Sequence, residues 1–143
     1  MAKFPSVGWF DAVRRVFNGD EAYQGAGGGQ CNCVAGVKVG SRVFILTFEG
    51  FECSAAREGK DNDLEDVDFY LQMPLADWRA MVKNIAENGG ATLDYTLNTL
   101  DLDREDGLST SRHGDQYRED LFFRYNQTFQ FFFDASARVR TSY

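Results

Sequence analysis

The stretch from Leu121 to Phe133 reads Leu-Phe-Phe-Arg-Tyr-Asn-Gln-Thr-Phe-Gln-Phe-Phe-Phe, and seven of its thirteen residues are aromatic. The whole chain contains 13 Phe, 6 Tyr and 2 Trp, so one third of its aromatic side chains lie here. Neither Pro nor Gly occurs between Asp115 and Tyr143. The stretch therefore predicts one uninterrupted helix with a strongly aromatic surface.

A helical wheel with 100° per residue divides this helix into two faces. Six large apolar side chains share an arc of about 120°, and they are Leu121, Phe122, Tyr125, Phe129, Phe132 and Phe133. Phe123 and Phe131 fall outside the arc. Such a face fits either an amphipathic core helix or the wall of an apolar cavity that holds a flat or long hydrophobic ligand.

The length and composition favour a single domain, residues 1–143, that folds around its own hydrophobic core. Of the 143 residues, 43% are hydrophobic and 26% are charged. The net charge is −7. This charge excludes nucleic acid as an expected partner and disfavours docking on an anionic membrane. No run of 18 apolar residues occurs, so we expect no integral membrane segment.

The three cysteines, Cys31, Cys33 and Cys53, indicate a reducing, cytoplasmic setting, since their number is odd and no signal peptide is evident. A zinc site needs further ligands at C-x-x-C spacing, and the chain has one histidine. We therefore expect no metal and no cofactor. The glycine cluster Gly25–Gly29 lacks a phosphate-loop pattern. The acidic stretches Glu58–Asp66 and Asp101–Gly107 lack a calcium-loop register, so we predict solvated turns.

The rest of the chain predicts an α+β fold, in which an antiparallel sheet with four predicted strands is covered by helices with an apolar cavity between the layers. Helices are predicted from Val7 to Phe17, with Ser6 as N-cap, and from Leu75 to Asn88, where Trp78, Met81, Val82 and Ile85 share one face. Strands are predicted at Cys31–Val39, Arg42–Phe48, Phe51–Ala55 and Val67–Met73, joined as an antiparallel meander. Thr92–Leu102 suits a strand or, as we favour, a short helix.

One stretch near the start of the chain combines Phe4-Pro-Ser and Trp9 with Asn18-Gly-Asp-Glu-Ala-Tyr23. A second stretch is Val67-Asp-Phe-Tyr-Leu-Gln-Met-Pro-Leu-Ala-Asp-Trp-Arg-Ala-Met81, where a strand of alternating apolar residues runs into a helix with Trp78 near its start. Together the two stretches resemble bacterial proteins similar to sterol carrier protein 2. The resemblance covers the chain from about Phe4 to Asn88.

What the resemblance implies is a non-catalytic fold with a five-stranded, mainly antiparallel sheet and an apolar tunnel for sterols, fatty acids or acyl-CoA. By position, the helix that carries Trp78 and the C-terminal helix would line this tunnel. The expected ligand-binding residues are Trp78, Met81, Ile85, Leu121, Phe122, Tyr125, Phe129, Phe132 and Phe133. The chain departs from the family in Ala91–Thr110, where the last strand is not evident, and in its longer, more aromatic final helix.

Two other classes of function stay open at this point. A small enzyme like ketosteroid isomerase or a dehydratase would need a carboxylate base in the apolar pocket, for which Asp94 and Asp134 are the candidates. His113 lies in a polar segment too local for a catalytic triad, so we assign no catalytic residue. Alternatively, Phe123 and Phe131 would mediate a homodimer or the docking of an accessory subunit on a lipid-metabolising enzyme.

Overall fold

A computed structural model describes residues 1–21 and 30–143, and it has a sheet on one side and helices on the other. The strands are β1 (Ala2–Lys3), β2 (Cys33–Val39), β3 (Arg42–Glu49), β4 (Glu52–Gly59), β5 (Phe69–Met73), β6 (Ser109–Thr110) and β7 (Thr141–Ser142). The helices are α1 (Val7–Asn18), α2 (Leu75–Asn88), α3 (Leu97–Leu102), α4 (Gln116–Arg124) and α5 (Asn126–Asp134). Single 3₁₀ turns occupy Asp61–Glu65, Leu93–Tyr95 and Ala135–Arg138. The predicted α+β class is confirmed.

The main sheet has five strands in the order β4-β3-β2-β5-β6, and all neighbours but one are antiparallel. The exception is β5, which pairs in parallel with β2, so the predicted meander is wrong at this strand. The chain reaches β5 through the 3₁₀ turn at Asp61–Glu65. There Leu64 is buried against Val43 and Ile45 on the face of the sheet away from the main core. The connection from β4 to β5 crosses the outer face of the sheet, where Leu64 anchors it. The largely polar sequence of this segment does not predict that crossing.

Strand β4 contains a bulge that reverses its inward-facing residues. Phe48 pairs with Cys53 whereas Thr47 pairs with Ala55, so Ser54 has no opposite residue. Of the predicted inward face of Phe51, Cys53 and Ala55, Cys53 alone is buried, because Phe51 precedes β4 and is exposed. After the bulge, Ala56 rather than Ala55 packs against the core.

The two long helices begin and end where local signals predict them. The Ser6 Oγ accepts a hydrogen bond from the Trp9 N–H at 3.1 Å, which caps α1. Helix α2 spans Leu75 to Asn88 as predicted, and Gly89 ends it with a φ of 76°. The ambiguous segment at Thr92–Leu102 forms a 3₁₀ turn and the short helix α3, as favoured.

The two ends of the chain meet beside α1. Strand β1 pairs in parallel with β7, and the Trp9 Nε1–H donates to the Thr141 Oγ1 at 3.0 Å. The glycine cluster Gly25–Gly29 lies outside the described residues. Within the described ranges, no helix combines the length and the apolar character that a membrane span requires.

Candidate functional site

The aromatic stretch forms two helices rather than the one predicted. Tyr125 separates α4 from α5 with φ −105° and ψ 14°, outside the helical region. The bonds from the Tyr125 N–H to the Leu121 C=O (2.9 Å) and from the Phe129 N–H to the Tyr125 C=O (3.2 Å) keep helical spacing on both sides. The break at Tyr125 therefore interrupts the helical backbone conformation while the side chains on both sides keep the phase of the helical wheel. Tyr, Asn and Thr around it have low helix propensity, although no Pro or Gly marks the site.

Burial follows the wheel for six of these eight side chains. Phe122, Phe129, Phe132 and Phe133 are fully buried, Leu121 is buried and Phe123 is 53% exposed. Tyr125, predicted to face inward, and Phe131, predicted to face outward, are both half-buried against the core. The binding of a ligand by the inner face stays a prediction.

The inner face packs into an aromatic layer between the sheet and the C-terminal helices. We define this aromatic layer as Phe17, Phe48, Phe69, Phe122, Phe129 and Phe132. The Phe129 ring lies edge-on to Phe48 at 4.8 Å and to Phe69 at 5.4 Å between centroids. Phe132 lies 5.7 Å from both Phe17 and Phe48. Rings from α1, β3, β5, α4 and α5 therefore form one continuous contact network.

Helix α2 borders the aromatic layer through the residues expected to line the tunnel. Trp78, Met81 and Ile85 are all fully buried. The Trp78 ring lies 5.5 Å from that of Phe133, and its Nε1–H donates to the Lys38 C=O at 2.9 Å. The structure thus brings the nine predicted residues, from two distant parts of the sequence, to one apolar region.

Two recesses in the surface lie apart from this region. A groove of about 880 Å³ runs over β5 and β6, where Lys38, Tyr70, Gln72 and residues 103–108 line it. A smaller one of about 390 Å³ contains Phe131 and Asp134. None of the nine predicted residues lines either recess. The rings of the aromatic layer contact one another in this conformation, so a ligand placed between Phe129 and Phe48 or Phe69 would have to separate them.

Helix α4 is the element of the aromatic layer with the fewest anchors. Leu121 and Phe122 are its buried side chains, and Phe122 covers Phe69 at 6.2 Å between ring centroids. The Ser109 Oγ donates to the Glu119 C=O at 3.2 Å. Elements with few buried apolar contacts open at lower free energy than the core, so we expect α4 to open more readily than the better anchored helix α5.

An ion pair fixes the segment that leads into α4. The Arg112 guanidinium donates to both carboxylate oxygens of Asp61 at 2.8 Å, and Lys38 reaches the same carboxylate at 3.2 Å. Arg112, followed by Lys38, lowers the pKa of the Asp61 carboxyl to about 2. The guanidinium carbon also lies 5.5 Å from the centre of the Tyr70 ring. The chain before α4 is therefore held against the outer face of the sheet.

The ionisable groups considered for catalysis lie elsewhere. The Asp134 Oδ1 accepts from the Ala91 N–H and from the Gln130 Nε2–H, both at 3.0 Å, and burial raises the pKa of this carboxyl. Asp94 is exposed, and the exposed His113 places its Nε2 3.1 Å from the Val67 C=O. The two carboxylates considered as bases thus lie outside the aromatic layer. Within residues 1–21 and 30–143, no group of three or more His, Cys, Asp or Glu residues could hold a metal ion.

The rings that α1, β3 and β5 contribute to the aromatic layer were not among the nine residues predicted from the sequence. Phe17, Phe48 and Phe69 are buried opposite α5. The burial of each of these rings could be predicted, because each ring lies on an apolar face of its own predicted element. What the sequence could not show was that these three faces meet the same helix.

Comparison with known proteins places the fold. No protein-family model matches the chain, and no curated protein matches it in sequence. A solved structure described as the crystal structure of sterol carrier protein 2 superposes with a TM-score of 0.60 at 19% identity, over 92% of this chain and 95% of that one. Since 92% of the chain is covered, the superposition includes residues beyond the Phe4–Asn88 range of the sequence resemblance. The chain therefore has an α+β fold like that of sterol carrier protein 2.

Proposed function

We propose that this protein binds or carries a hydrophobic ligand of the sterol, fatty acid or acyl-CoA class, without catalysing a reaction. One observation supports the proposal above the others: the aromatic layer lies between the sheet and α5 in a fold whose solved neighbour is named a sterol carrier. The ligand would lie among the rings of this layer, against the residues of α2 and α5 predicted from the sequence.

The energetics permit a closed aromatic layer to accept such a ligand. Rings that separate to admit an acyl chain exchange ring–ring contacts for ring–methylene contacts, so their apolar surface stays out of water. Each methylene that the ligand buries contributes about 0.8 kcal/mol. Binding strength then depends on the length of the buried chain, offset by the work of moving α4.

Entry would take place beneath α4. Displacing Phe122 from Phe69 uncovers the side of the aromatic layer that also contains Phe129. The break at Tyr125 would allow α4 to move while α5 stays in place. Helix α5 is anchored by Gln130, whose Oε1 accepts a hydrogen bond from the Leu97 N–H at 2.8 Å. A movement of α4 alone therefore connects the aromatic layer with solvent.

The test is a titration with a fluorescent fatty acid, using single substitutions on the two helix faces. We expect saturable binding of one molecule per chain. Phe129→Ala and Tyr125→Ala should weaken it more than Phe123→Ala, the matched control on the outer face. Far-UV circular dichroism of each variant verifies that it is folded. Absence of saturable binding, or equal effects of the three substitutions, would contradict the proposal.

A second candidate rests on the exposed ring of Phe123. An aromatic side chain that is 53% exposed on α4 is suited to contact a second copy or an enzyme that uses the same lipid. Phe131, expected to share this role, packs at the edge of the core instead. Sedimentation at low and high protein concentration tests the dimer, and a constant monomer mass would argue against it.

A further inference from the structure

Two thiols lie in contact where the chain enters β2. The Cys31 and Cys33 Sγ atoms are 3.7 Å apart, and both side chains belong to the main hydrophobic core. The third thiol, Cys53, lies on β4, where its Sγ is 3.5 Å from the Ala55 C=O. All three cysteines are free and buried, so Cys53 is a natural internal control for the pair.

The extended backbone keeps this pair from joining directly. The Cys31 N–H donates to the Gly50 C=O at 2.8 Å, so the extended pairing with β3 continues beyond the start of β2. Two residues along a strand are about 6.6–6.8 Å apart, which is the upper limit of about 6.8 Å between the Cα atoms of a disulfide. The sulfurs would also have to approach to about 2.05 Å from their present contact. A disulfide would thus require the end of the strand to move.

A bridge through one additional atom fits the observed spacing. Two bonds of about 2.3 Å, the length of a zinc–thiolate bond, place two sulfurs about 3.6 Å apart when they meet at roughly 105°. Zinc itself prefers four ligands, and the described residues offer no cluster of three or more. A trivalent arsenic atom with one organic substituent needs only two sulfurs.

We propose that Cys31 and Cys33 form a binding site for a monosubstituted trivalent arsenical. In the reaction, R–As=O and two thiols give R–As(S–Cys)₂ and one water. Two S–H bonds are exchanged for two As–S bonds, the oxygen leaves as water, and the oxidation state of arsenic does not change. The product carries no charge, so the apolar surroundings impose no charge-burial penalty.

The surroundings of the pair are compatible with this chemistry. The hydrogen bond with Cys31, together with burial, raises the pKa of the Cys33 thiol. Cys33 therefore keeps the proton that leaves in the water molecule. The neighbours Gln30 and Asn32 are exposed, so the pair lies one residue from solvent.

The experiment treats the folded chain with phenylarsine oxide and measures the intact mass. We expect one phenylarsenic group per chain in the original protein and in Cys53→Ala. Cys31→Ala and Cys33→Ala should each lose the adduct. Circular dichroism before treatment verifies that each variant is folded, and thermal unfolding of the adduct shows whether the folded state holds it.

Several outcomes would overturn the proposal. These are the absence of an adduct, an adduct that survives Cys31→Ala, and an adduct that forms only in urea. Peroxide treatment provides an independent check, because rapid formation of a Cys31–Cys33 disulfide in the folded chain would contradict the constraint assigned to the backbone. None of these readouts depends on lipid binding, so the two proposals stand or fall separately.

Discussion

Two adjacent phenylalanines show how much of a side chain's role depends on its direction. Phe122 is fully buried against Phe69, whereas Phe123 is 53% exposed on the same turn of α4. We expect Phe122→Ala to lower the free energy of unfolding by about 3–5 kcal/mol, through lost transfer energy and a cavity. Phe123→Ala should change it by less than about 1 kcal/mol. Urea unfolding of both variants checks this, and similar losses would refute the assigned orientation.

The Asp134 carboxyl provides a pH-dependent prediction. Burial raises its pKa in the folded state, so ionisation opposes folding, and stability should increase as pH falls through the folded pKa towards 3.8. Asp134→Asn keeps an acceptor for the Ala91 N–H and removes the charge, so it should abolish this dependence. Asp134→Ala should destabilise at every pH, because the Ala91 N–H loses its acceptor. Thermal unfolding between pH 4 and pH 8 measures all three chains, and equal pH slopes for the original chain and Asp134→Asn would exclude the charge effect.

At the scale of single residues, the sequence predicted which side chains turn inward. A period of 3.6 residues survives the break at Tyr125, since helical hydrogen bonds continue on both sides. The partners of the inward side chains were not predictable. The contact of Phe129 with both Phe48 and Phe69 depends on where β3 and β5 lie in the sheet.

At the scale of elements, local sequence signals predicted where α1 and α2 begin and end. They did not predict the position of elements that depend on packing against distant residues. Ser6 and Gly89 mark helix ends by their own chemistry. The parallel position of β5 depends on the burial of Leu64 on the far side of the sheet. The burial of Leu64 at that contact cannot be predicted from the local sequence alone.

The mobility of α4 should depend on the Arg112–Asp61 pair. Arg112→Gln removes the bidentate contact before the helix, so we expect faster amide hydrogen exchange in α4. Arg118→Gln is the matched control, because Arg118 forms a local pair with Asp115 at 3.6 Å. The effect of Arg112→Gln should shrink as the pH falls from 4 to 2, since the Asp61 carboxyl becomes protonated there. Unchanged exchange in Arg112→Gln would show that the pair does not restrain α4.

Over the whole molecule, a contact between the chain ends should contribute to stability. The Trp9 Nε1–H donates to Thr141, 132 residues away. We expect Thr141→Val to cost about 1–3 kcal/mol, because it leaves a buried donor unpaired, and Thr141→Ser to cost much less because it keeps the hydroxyl. Thermal unfolding distinguishes the two variants. Equal losses would assign the effect to packing of the methyl group rather than to the hydrogen bond.

The resemblance over Phe4–Asn88 predicted the fold class better than its details. The strand that the sequence does not make evident in Ala91–Thr110 is present as the two residues Ser109 and Thr110. The aromatic residues of the final helices were predicted as one wall, and they became part of a layer to which α1, β3 and β5 contribute equally. The sequence could not show whether those rings enclose space or fill it, since both arrangements need the same inward faces.

The central claim is that this aromatic layer admits a hydrophobic ligand. Its most direct test is native mass spectrometry of the chain after incubation with an equimolar mixture of a fatty acid, its acyl-CoA ester and a sterol. We expect one bound molecule per folded chain, and a reduced bound fraction in Phe129→Ala but not in Phe123→Ala. A spectrum that contains only the bare chain at every ligand concentration would contradict it.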